Sequence, residues 1–173
     1  MIAESDLNGN QMTTSGIILS LGSNLGDRRK EIESALLCLR NNGAPPGQVS
    51  SYYETEPVGL AGQPDFINIA CTINTRLSPF ELLDLCQSIE REAGRTGKGD
   101  SAPRTLDIDI LFFGQVSIRS GRLVLPHPEA CRRRFVLVPL QEILPEFSHP
   151  ISGEKIQSLI EKCPDSSRLR LLD

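Results

Sequence analysis

Two rhythms of apolar and polar residues alternate along this chain of 173 residues. Residues 17–21 are a short apolar run that suits a buried strand, stopped by the turn Gly22-Ser23-Asn24-Leu25-Gly26. From about residue 27 the spacing becomes helical, with Ile32, Ala35, Leu36 and Leu39 on one face and Asn42-Gly43 as the stop. Residues 48–55 read as a second strand and 66–75 as a third; between them lies a Pro- and Gly-rich loop over 56–64. Ser78, Pro79 and Glu81 form a helix-start signature, so a second helix is expected over 79–93, closed by Gly94. A polar loop over 95–103 precedes a fourth strand over 105–113.

The order is βαββαβ. It predicts an α+β protein of ferredoxin-like arrangement, an antiparallel sheet with two helices packed on one face. The remainder predicts a C-terminal extension. It holds a hairpin of 115–118 with 122–125, short helices near 128–134 and 135–143, and a last helix over about 153–162. Residues 1–15 are polar, lack a signal-peptide pattern, and are expected to be a flexible tail before a single domain over 16–173.

The fourth strand carries the chemistry. Pro103-Arg104-Thr105-Leu106-Asp107-Ile108-Asp109-Ile110 places two aspartates at i and i+2, on one face of a strand and roughly 7 Å apart at Cα. Leu106, Ile108, Ile110 and Phe112 are expected on the opposite face, and Leu111 and Phe113 beside the aspartates. Aspartate is depleted in strands, so propensity does not account for the pair. Paired carboxylates repel unless a cation sits between them, and magnesium favours one or two carboxylates plus substrate phosphates. Removing either carboxylate is therefore expected to relieve repulsion in the metal-free protein. A solvated outer sheet face is the alternative, and the motif alone also fits other two-carboxylate transferases.

Charge sharpens this picture. Net charge is −4, yet residues 91–134 hold nine of the 18 Lys and Arg and only five of the 22 Asp and Glu. A basic segment in an acidic chain suits binding of a small anion better than of nucleic acid. Arg95, Lys98, Arg104, Arg119, Arg122, Arg132, Arg133 and Arg134 are the candidate phosphate partners. His127 is bracketed by Pro126 and Pro128, and a purely structural role fits it equally well. Phe66, Asn68 and Phe135 could form a slot for a flat heterocycle, although core packing explains isolated Phe residues too. The chain lacks a Walker phosphate loop, a Rossmann glycine motif and a Gly-x-Ser-x-Gly elbow. Five scattered cysteines argue for reduced thiols, and no apolar stretch reaches membrane-spanning length. A cytoplasmic protein without membrane or nucleic-acid partners is expected. An RNA-binding module shares the βαββαβ order, but it needs aromatics on a sheet face that does not repel phosphate.

Several segments together resemble the hydroxymethyl-dihydropterin pyrophosphokinases of folate biosynthesis. They are Leu21-Gly22-Ser23-Asn24-Leu25-Gly26, Tyr53-Glu54-Thr55-Glu56-Pro57-Val58-Gly59, Gln63-Pro64-Asp65-Phe66-Ile67-Asn68, residues 89–95, residues 103–114 and Leu125-Pro126-His127-Pro128. The resemblance implies ATP as co-substrate, two magnesium ions, transfer of pyrophosphate to the pterin hydroxymethyl group, and release of AMP by a monomer or weak homodimer. It implies that Asp107 and Asp109 hold the metal, and that Arg95 and Arg104 act on the phosphates. Leu83, Gln87, Glu90, Ile110, Arg122, His127 and Arg133 would hold the nucleotide. Thr55, Pro57, Val58, Phe66, Asn68 and Phe135 would form the pterin pocket. The chain departs from the family in having no Trp in the loop over 96–102.

Overall fold

The computed structural model describes residues 16–57, 62–94 and 104–172. Val58, Arg95, Lys98, the Trp-less loop and the N-terminal tail lie outside the described residues.

The element order is β1 (Ile17–Ser23), α1 (Arg28–Asn41), β2 (Pro46–Val49), β3 (Tyr53–Thr55), β4 (Phe66–Ile73), α2 (Pro79–Glu92), β5 (Asp107–Phe113), β6 (Ile118–Arg119), β7 (Val124–Leu125), α3 (Arg134–Ile143), α4 (Ile156–Glu161) and β8 (Leu169–Leu171). Both α1 and α2 start where their caps say. Asp27 accepts from the Lys30 N–H, and Ser78 and Glu81 form the reciprocal capping box ahead of Pro79. The sheet order is β5-β1-β4-β3-β8, with β2 also paired to β4 and every pairing antiparallel.

Two hydrophobic clusters sandwich the sheet. Leu19, Leu21, Ile67, Ile69, Ile108 and Ile110 face α1 and α2, where Ile32, Leu39, Leu82 and Ile89 meet them. On the other face Ile18, Ala70, Leu111 and Phe112 pack under Val136, Leu137 and Leu140 of α3 and Ile156 and Leu159 of α4. The second face is therefore covered at one end by the C-terminal extension. At its other end it carries Ser20, Gly22, Asn68, Asp107 and Asp109 and remains open as a cavity.

Several expectations need correction. Residues 48–55 form two strands. Between them Ser50 uses its side chain to accept from the Ala70 N–H, and Ser51 donates to Glu142 of α3. Backbone pairing persists at Ser50, whose N–H donates to the Ala70 carbonyl at 2.9 Å, and the chain leaves β4 at Ser51. β5 holds a bulge: Ile18 pairs with Phe112 but Leu19 pairs with Ile110, leaving Leu111 as the extra residue. Leu111 and Phe112 consequently both enter the second core while Phe113 turns to the first, so the alternation expected beyond Ile110 is broken. Strand β8 escapes a local reading altogether. It is three residues long, and its partner β3 defines it: Arg170 pairs with Glu54, and Arg168 of the approach pairs with Glu56 and Asp65. In the extension the expected helix over 128–134 is a single 3-10 turn at Ala130–Arg132, and the last helix is shorter than expected.

Candidate active site

The sheet register builds the site. Gly22 of β1 sits opposite both Asn68 of β4 and Asp107 of β5, and Ser20 sits opposite both Ala70 and Asp109. Residues opposite one another across antiparallel strands share a face, so Asp107, Gly22 and Asn68 form one row and Asp109, Ser20 and Ala70 the next. The absence of a Cβ at Gly22 leaves room for Asn68: one added there would lie 2.6 Å from Asn68 Oδ1 and force that side chain to shift. The buried Asn68 amide donates to Thr55 Oγ1 at 2.7 Å, which fixes it beside the glycine.

Two cavities meet at the aspartates. The first, about 150 Å³, is lined by Thr55, Glu56, Phe66, Asn68, Arg104, Arg133 and Phe135 as well as by Asp107 and Asp109. The second, about 340 Å³, lies between α2 and the β6–β7 hairpin and is lined by Leu83, Gln87, Glu90, Ile110, Arg122, Leu123, Val124 and His127, again with Asp107 and Asp109. Asp107 and Asp109 are thus the wall common to both.

Neither carboxylate stands alone. Arg104 Nη1 contacts Asp107 Oδ2 at 2.5 Å, while Arg133 Nη1 and His127 Nε2 lie 3.8 and 4.0 Å from Asp109. Removing an aspartate therefore takes away an attraction along with any repulsion, because Asp107 is paired with Arg104 and Asp109 lies near Arg133 and His127. His127 is fixed by its backbone N–H, which donates to the Leu111 carbonyl of the bulge at 2.9 Å, and by Nδ1, which accepts from the Glu129 N–H at 3.2 Å. Burial lowers the His127 pKa below 6.5 and Arg133 adds to this, while the nearby carboxylates oppose it. Because Nδ1 accepts, Nε2 is the ring nitrogen that carries a proton, and it faces Asp109. On the far side of β5, buried Glu90 accepts from the Ile108 N–H at 2.8 Å, pinning the residue between the two aspartates.

The structure brings most of the sequence-derived residues to these two cavities. Arg133, expected with the nucleotide set, stands at the first cavity, its guanidinium 5.8 Å above the Phe135 ring. Pro57 lines neither cavity. Arg122 reaches out of the second cavity to pair with Asp84 on α2. Sequence reasoning left out Ser20 and Gly22, which only strand register places beside the aspartates. It also left out Leu123 and Val124, which look like ordinary hairpin residues.

No group of three or more His, Cys, Asp or Glu that could hold a metal occurs among the described residues. A divalent cation between Asp107 and Asp109 would thus take its other ligands from water and phosphate oxygens, a donor set that suits magnesium.

Residues 18–145 match the family model 7,8-dihydro-6-hydroxymethylpterin-pyrophosphokinase (HPPK). The chain is 48% identical over 126 residues to the 2-amino-4-hydroxy-6-hydroxymethyldihydropteridine pyrophosphokinase of Bacillus subtilis, covering 72% of this chain and 75% of that one. It is 38% identical to the enzyme of the same name from Pseudomonas aeruginosa, over 86% of this chain and 91% of that one. The folic acid synthesis protein fol1 of Pneumocystis carinii is 40% identical across 90% of this chain, which spans only 21% of that longer protein. In fold, the chain resembles the crystal structure of Plasmodium falciparum HPPK-DHPS wild type, with a TM-score of 0.66 at 16% identity over 84% of this chain and 44% of that one. The chain belongs to the 7,8-dihydro-6-hydroxymethylpterin-pyrophosphokinase family, the transferases that pass pyrophosphate to hydroxymethyldihydropterin in folate synthesis.

Proposed function

We propose that the second cavity takes ATP, the first takes hydroxymethyl-dihydropterin, and Asp107 and Asp109 hold two magnesium ions between them. The observation that carries this reading is that both aspartates line both cavities, so the reacting groups of two bound substrates would meet there. Bound magnesium would neutralise phosphate charge and fix its geometry, which is where phosphoryl transfer gains most of its rate.

The chain's own residues do the rest. Leu83, Ile110 and Val124 offer an apolar slot for a base, with Gln87 at its edge. Phe66 and Phe135 sandwich the pterin ring, and Asn68 and Thr55 meet its polar edge. Arg104, Arg133 and His127, which gather at the two aspartates, are the partners of the β- and γ-phosphates, and Arg95 is assigned the same role. The pterin hydroxyl oxygen bonds to the β-phosphorus and the bond from that phosphorus to the α-bridging oxygen breaks. The hydroxyl proton passes to solvent water, and AMP leaves with the former bridging oxygen. Residues 16–173 act as one domain, a monomer or weak homodimer whose partners are small molecules. Its five unpaired cysteines suit a reducing compartment such as the cytoplasm.

Product analysis tests this. With ATP, magnesium and hydroxymethyl-dihydropterin all present, AMP and the pterin diphosphate should form together, and omission of any one should stop both. Formation of ADP, or of free pyrophosphate, would overturn the reading.

A further inference from the structure

Asn24 is buried and touches neither cavity, yet it makes four hydrogen bonds to the segments that carry the two halves of the site. Its backbone N–H donates to the Arg104 carbonyl at 3.1 Å, and its Oδ1 accepts from the Arg104 N–H at 2.7 Å. Its Nδ2 donates to Gln63 Oε1 at 3.2 Å and to the Pro64 carbonyl at 3.3 Å. Arg104 is the residue on Asp107, and Pro64 lies two residues before Phe66, the aromatic wall of the first cavity. Among the described residues a single side chain thus clamps both.

We propose that Asn24 is a positioning residue that couples the heterocycle wall to the phosphate side of the site, so that pterin affinity depends on its amide nitrogen. This rests on the substrate placement given above. The amide divides the task by atom: Oδ1 serves Arg104 and Nδ2 serves residues 63 and 64. Asn24→Asp keeps the first and removes the second. The Gln63 amide can turn to donate to the new carboxylate, but the Pro64 carbonyl cannot, so an acceptor is left facing an acceptor in a partly buried place.

The test is titration of the folded protein in two steps. Magnesium with α,β-methylene-ATP is bound first, then 6-hydroxymethylpterin. For Asn24→Asp the pterin Kd should rise by about tenfold, while the nucleotide Kd stays within about twofold of wild type. Gln63→Ala, at a half-exposed residue whose loss leaves the fold intact, should raise the pterin Kd in the same direction by about two- to fivefold. Unchanged pterin affinity in either variant would overturn the proposal, as would nucleotide and pterin weakening in parallel, which marks a merely structural residue. Should Asn24→Asp not fold, Gln63→Ala decides alone. A wild-type protein that binds neither ligand would overturn the placement of the substrates, and the coupling with it.

Discussion

Replacing Gly22 by alanine tests the register that builds the site. The new Cβ would sit 2.6 Å from Asn68 Oδ1 and 3.7 Å from both Asn68 Cγ and Phe66 Cδ1. Only the first contact is impossible, so the Asn68 amide must move by several tenths of an ångström or more. That motion strains or breaks its 2.7 Å bond to Thr55 Oγ1, at a site where Asn68 is 4% exposed. A buried polar group left unsatisfied costs about 1–3 kcal/mol. Alanine in a strand recovers about 0.5–1 kcal/mol over glycine through lost backbone freedom. The net loss should be about 1–2 kcal/mol, or a fall in Tm of about 2–8 °C for a chain of this size. Pterin binding should weaken in the same variant, because the amide that meets the ring has shifted. The decisive assay is a double-mutant cycle with Asn68→Ala, read by urea and thermal unfolding with circular dichroism, since the chain has no Trp. In the Asn68→Ala background, Gly22→Ala should be neutral or stabilising by about 0.5–1 kcal/mol. An equal cost in both backgrounds would refute the argument, because the penalty would then not come from the Asn68 side chain.

Other outcomes follow from the same geometry. Asp109→Asn should abolish product formation while leaving the circular dichroism spectrum unchanged, and near-normal turnover would contradict the metal assignment. Asp107→Asn should do the same without raising Tm, because the 2.5 Å ion pair between Arg104 and Asp107 is lost together with the repulsion between the carboxylates. Phe112→Ala should cost about 3–5 kcal/mol in urea unfolding, since the ring is 1% exposed and packs 4.8 Å from Phe147. Glu142 accepts from Tyr53 Oη at 2.7 Å and from Ser51, and these bonds, outweighing the opposing effect of burial, hold its carboxyl below 4.5. A lowered folded pKa gives stability present above 4.5 and lost as the pH falls through the folded value. Glu142→Gln should flatten that acid limb of the stability profile.

Much of the fold was legible because local physics and tertiary packing agree in it. The capping box at Ser78 and Glu81 starts α2 regardless of context, and the apolar stripes of α1 and α2 point where the sheet needs them. The aspartate pair was legible because carboxylates in an apolar strand oppose propensity, and such conflicts mark function. The resemblance to a known family supplied residues that pattern alone could not, such as Leu83 and Gln87.

What the sequence by itself determined is the two core helices, the apolar strands that flank them and the shared face of Asp107 and Asp109, because each depends on periodicity along a few neighbouring residues. Only the tertiary structure decided the rest. The bulge at Leu111 exists because β5 must satisfy two cores and the His127 N–H at once. β8 exists because β3 offers it an edge, and Gly22 and Asn24 matter because of residues 46 and 80 positions away, Asn68 and Arg104. Those are long-range contacts, and a chain shows them only once strand register has brought its distant parts together.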